Sequence, residues 1–106
     1  MRLLLDTHVA LWAAKTPERI TADIRSMIED PAIDVCVSAA SIWEIAIKRG
    51  LGRGERPPFA AAESIEVFRR LRFDLLLISA EHAAAVEGLP RIHGDPFDRL
   101  LVAQAM

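Results

Sequence analysis

Apolar residues along the chain gather into short unbroken runs separated by segments of helical period. Leu3, Leu4 and Leu5 follow one another with no polar alternation, which predicts a strand buried on both faces, as in a parallel sheet covered by helices. Residues 8–14 are helix-compatible, with Trp12 expected against the sheet edge. Pro17 breaks that pattern, and residues 21–30 read as a second helix with Thr21 as N-cap and Pro31 as stop. Residues 34–38 (DVCVS) form the next β-rich run. A third helix is expected over 39–49, closed by Gly50. After a Gly- and Pro-rich loop over 51–58, an amphipathic helix is predicted for 59–71, a third strand for 73–78, and a helix capped by Ser79 that ends near Glu87 and Gly88. Asp95 followed by Pro96 makes an N-cap and first-turn pair for a last helix.

Stepping 100° per residue along the third helix gathers Ala39, Ile42, Trp43, Ile45, Ala46 and Ile47 into a broad apolar face. Ser41, Glu44 and Lys48 are left as a narrow polar stripe. The alternation of strands and helices predicts an α/β fold with a parallel central sheet.

Composition narrows the class. A chain of 106 residues with 52% hydrophobic and 26% charged residues has the balance of one globular domain. No apolar run approaches the ~18 residues needed to cross a bilayer, so no membrane role is expected. Asp6 also interrupts the opening apolar stretch before the core of a secretory signal could form. The single cysteine, Cys36, has no internal partner and reads as a small core residue, which fits a reducing cytoplasm. A net charge of −2 gives no whole-chain argument for nucleic acid. Locally, however, Lys48, Arg49, Arg53, Arg56, Arg69, Arg70 and Arg72 outnumber Glu55, Glu63 and Glu66, a run that either follows a phosphate backbone or is a solvated face.

The candidate chemistry lies where predicted strands end. Asp6 directly follows the first strand, at the edge where open α/β sheets place ligands, or it simply caps the next helix. Glu44 sits beside apolar neighbours, or pairs with Lys48 at i,i+4 on the surface. Asp95 reads as a cap. Asp98 heads the stripe Leu101, Val102 and Ala105, and an acid so placed is rarely buried without a cationic partner. Acids sharing one crevice repel unless protonated or bridged by a metal, and oxygen-only donors suit Mg²⁺ or Mn²⁺. Carboxylate-held metals most often serve phosphoryl chemistry. No P-loop or dinucleotide fingerprint is present.

Three blocks, LLLDTHVALW, SAASIWEIAIKRGLG and HGDPFDRLLVAQA, resemble the PIN-domain ribonucleases, specifically VapC-type toxins of toxin–antitoxin systems. The resemblance implies a three-layer α/β/α sandwich over residues 1–106, with an acidic pocket that holds Mg²⁺ or Mn²⁺ and hydrolyses RNA, with tRNA among the candidates. It carries the metal-ligand and catalytic roles onto Asp6, Glu44 and Asp98, with Asp95 a further acid and Thr7 and Ser38 supporting groups. Lys48, Arg49 and Arg53 become candidate RNA contacts, and a homodimer and a cognate antitoxin are implied partners. With three recognisable strands, a chain shortened at its C-terminus is expected. Two other readings stay open: a PIN-like module that binds without cleaving, and a haloacid-dehalogenase-like phosphatase, which wants an aspartate where His8 stands.

Overall fold

In a computed structural model that describes residues 2–52 and 56–88, the chain forms three strands and five helices. Strand β1 (Arg2–Leu5) leads through Asp6 into α1 (Thr7–Lys15), a 3₁₀ turn (Pro17–Arg19) and α2 (Ala22–Glu29). Strand β2 (Asp34–Ser38) runs directly into α3 (Ala39–Leu51). After the loop come α4 (Ala61–Arg70), β3 (Asp74–Leu76), α5 (Ala80–Ala85) and a 3₁₀ turn (Val86–Gly88). The sheet is parallel throughout, in the order β1-β2-β3, with Leu5 beside Val37 and Ser38 beside Leu76. The α/β architecture and its parallel sheet are therefore those the sequence predicts.

Val35 and Val37 point to one face of β2 and meet Ala10 of α1, Ile45 of α3 and Phe68 of α4, with Leu5 and Phe73 completing the core. Cys36, on the reverse side of the strand, is also buried. The central strand is thus covered on both faces, which explains why its sequence lacks a polar alternation.

Element ends depart from the sequence expectation for identifiable reasons. Strand β3 stops at Leu76 rather than Ile78, because its partner β2 ends at Ser38 and offers no further ladder; Leu77 is left 78% exposed. Helix α3 runs past Gly50 and ends at Gly52, whose left-handed φ of 62° closes it. Helix α4 begins two residues later than predicted, where the Glu63 side chain accepts the Ala60 N–H at 3.4 Å. Ser79 Oγ accepts the His82 N–H at 3.0 Å and His82 Nδ1 accepts the Ser79 N–H at 3.1 Å, so His82 is part of the α5 cap. The last predicted helix, with Asp95 and Asp98, lies outside the described residues, as does Arg53.

Candidate active site

Parallel pairing of Leu5 with Val37 brings the two strand-to-helix junctions side by side, so Asp6 and Ser38 emerge at the same end of the sheet. Each caps the helix it introduces. Asp6 Oδ1 accepts the Val9 N–H at 2.8 Å, and Ser38 Oγ accepts the Ala40 N–H at 3.0 Å. The capping reading of Asp6 is therefore correct, and it leaves a role in chemistry open. One carboxylate oxygen is used, and the residue is exposed at the strand end.

Thr7, the first residue of α1, is buried and turned toward α3. Its Oγ1 lies 2.8 Å from Ser41 Oγ and 3.0 Å from Glu44 Oε1. A hydroxyl has one proton, and a carboxylate only accepts. Thr7 thus donates to Glu44 and accepts from Ser41. Lys48 Nζ donates to the other oxygen, Glu44 Oε2, at 2.6 Å. Glu44 is 2% exposed whereas the Lys48 side chain is 39% exposed, so the pair links a buried carboxylate to a cation reaching the surface.

This arrangement rotates α3 from the expected orientation without reversing it, since Ile45 and Ile42 of the predicted apolar face still pack in the core. The polar stripe Ser41 and Glu44 is buried with Ala40 and Ile45, while Trp43 (55%) and Ile47 (41%) of the predicted apolar face are exposed. The predicted i,i+4 pair with Lys48 exists, but on the acid's side it is not a surface pair. Periodicity identified the stripe without revealing that the β1–α1 junction supplies Thr7 to receive it. Thr7 and Ser41 form the part of the network that sequence reasoning missed as contacts; Thr7 was expected only as a supporting group, and no local signal pairs it with Ser41 and Glu44 across more than 30 positions.

The basic residues separate. Lys48, Arg56 and, from outside the predicted run, Lys15 and Arg19 line a pocket beside Thr7. Arg72 instead borders a hollow with Asp34 and Asp74, the first residues of β2 and β3, at the opposite end of the sheet. Arg49 donates to the Pro57 carbonyl at 2.8 Å and braces the loop against α3. Trp12, expected at the sheet edge, lines the pocket with the Arg19 guanidinium 5.8 Å from its ring centroid.

The donor set at the strand ends is oxygen only: two carboxylates with the hydroxyls of Thr7, Ser38 and Ser41 nearby. Such donors fit a hard divalent cation in kind. Among the described residues no three acidic, histidine or cysteine side chains converge, so Asp6 and Glu44 supply two protein ligands at most there.

In an open parallel α/β sheet the ligand crevice lies outside the carboxyl ends of the strands, which is where Asp6 and Glu44 stand. The PIN domain model matches residues 3–106, and the chain belongs to the PIN domain family, whose members are generally nucleases that use divalent metals. No curated protein and no solved structure matches the chain. Among the described residues, no helix is long and apolar enough to cross a membrane.

Proposed function

We propose that the protein is a divalent-metal-dependent endoribonuclease of the VapC toxin type, restrained by a cognate antitoxin and acting as a homodimer. The observation that carries the nuclease part of this reading is the buried Glu44 carboxylate, fixed by Thr7 and Lys48 at the same sheet edge as Asp6. Carboxylates brought from two separate elements to one sheet edge are the oxygen donors that a hard divalent cation takes. The toxin, antitoxin and dimer parts rest on the resemblance of the three sequence blocks.

In this reading Asp6, through the oxygen not engaged in capping, and Glu44 hold the cation, and Asp95 and Asp98 complete the acidic set. A divalent cation supplies concentrated positive charge for a phosphodiester and its attacking water. Thr7 fixes the rotamer of Glu44, so that the carboxylate need not reorganise when substrate arrives. Lys48 offsets the carboxylate's charge when no other cation is near, and its partial exposure lets the ammonium swing toward a substrate phosphate.

The reading is tested by incubating the intact chain with a mixed tRNA and structured-RNA pool in Mg²⁺ or Mn²⁺, with EDTA and Asp6→Asn in parallel. Cleavage that needs the metal and disappears in the variant is expected. A folded wild-type chain that leaves RNA intact would favour the binding-only module instead.

A further inference from the structure

We infer that the pocket between α1, the 3₁₀ turn after it and the end of α3 is a subsite for one nucleotide of single-stranded RNA, next to the position that is cut. The inference rests on the nuclease reading for its adjacency to a scissile phosphate; the pocket's chemistry stands by itself. The cavity has a volume of about 330 Å³, at the small end of the range for ligand pockets and suited to a single nucleotide rather than a duplex.

Its walls carry Lys15, Arg19, Lys48 and Arg56 together with Trp12 and His8, and among the described residues no acidic side chain lines it. In a chain of net charge −2 that is a local concentration of positive charge. Among the described residues, no carboxylate pairs with Lys15, Arg19 or Arg56. The Arg19 guanidinium lies over the Trp12 ring, 5.8 Å from its centroid, and this stacked pair offers planar surface of the kind on which RNA bases stack. An acidic peptide would use the cations and leave the flat surfaces without purpose. A nucleotide uses both.

The pocket is joined to the Glu44 carboxylate through two of its lining residues. Thr7 and Lys48 line it, and both hydrogen-bond to Glu44. A base held against Trp12 and Arg19 therefore places its own phosphate within the reach of the cationic rim and the next one toward Asp6 and Glu44. The subsite would select for an unpaired nucleotide, since a base inside a duplex has both faces already stacked on its neighbours.

The test measures binding of a fluorescent single-stranded oligoribonucleotide to the intact chain by anisotropy, in EDTA so that nothing is cleaved. Arg19→Ala should weaken binding about tenfold or more. Arg19→Lys, which keeps the charge and loses the planar surface, should also weaken binding measurably. Removing Lys15 and Arg56 together should lower the salt dependence by roughly 0.7 in log–log slope, the value for one phosphate contact on a single strand. Circular dichroism checks that each variant is folded. Affinities within twofold of wild type for both Arg19 variants would overturn the subsite. So would displacement of the RNA by poly-glutamate of equal length as effectively as by unlabelled RNA, which would make the pocket an acidic-peptide site. Failure of the nuclease reading is seen separately. Pocket-dependent binding without cleavage in Mg²⁺ removes the catalytic adjacency but keeps the nucleotide site, whereas cleavage with a KM insensitive to Arg19 keeps the nuclease and removes the subsite.

Discussion

Replacing Thr7 by Val keeps the shape of the side chain and removes the one hydroxyl that joins the β1–α1 junction to α3. In the native protein that group donates to Glu44 Oε1 at 3.0 Å and lies 2.8 Å from Ser41 Oγ, all three residues being buried. A hydrogen bond to a charged acceptor contributes about 1.5–3 kcal/mol, and the carboxylate left behind is only 2% exposed. The extra methyl of Val recovers a part of this. The expected net loss is about 2 kcal/mol, or roughly 10 °C in Tm for a domain of this size. Thr7→Ser is the control. It deletes one methyl, costing about 1 kcal/mol, and keeps the hydroxyl, so the serine variant should be the more stable of the two. Urea unfolding at 25 °C in EDTA measures both. Combining Thr7→Val with Glu44→Gln completes a double-mutant cycle, with a coupling of about 1 kcal/mol expected because the acceptor loses its charge. A valine variant as stable as the serine variant, or a coupling near zero, would refute the argument that Thr7 holds the carboxylate.

Two further expectations concern the frame around the site. Gly52→Ala meets no atom within 4 Å of the added Cβ, so its cost is that of the left-handed φ of 62° alone, about 1 kcal/mol in urea unfolding. Cys36 is 2% exposed, and a thiol reagent should label it only as fast as the protein opens, with full labelling in denaturant; rapid labelling of the native chain would contradict its place in the sheet.

The order and kind of elements from β1 to α5 could be read from the sequence because local signals agreed: apolar runs, caps at Asp6, Thr21 and Ser79, and the helix stop at Pro31. The length of β3 could not, since it depends on where β2 leaves the ladder. The orientation of α3 was hidden for a similar reason. Its apolar face outnumbers its polar stripe, yet the stripe is buried because Thr7 and Lys48 satisfy Glu44 on both oxygens. Asp6 and Glu44 were identifiable singly as acids near predicted strand ends. Their common location needed the register that sets Leu5 beside Val37. The pocket was not legible in the sequence because Lys15 and Arg19, which join Lys48 and Arg56 on its wall, lie outside the basic run of residues 48–72.

In the proposed nuclease, Asp6 and Glu44 hold a divalent cation between them. The most direct test is Mn²⁺ binding to the intact chain, followed by the electron paramagnetic resonance of the free ion, in wild type, Asp6→Asn and Glu44→Gln. Saturable binding that weakens about tenfold or more in each variant is predicted, in line with the cost of altering a metal's immediate surroundings. Equal Mn²⁺ affinity in all three folded proteins would contradict it.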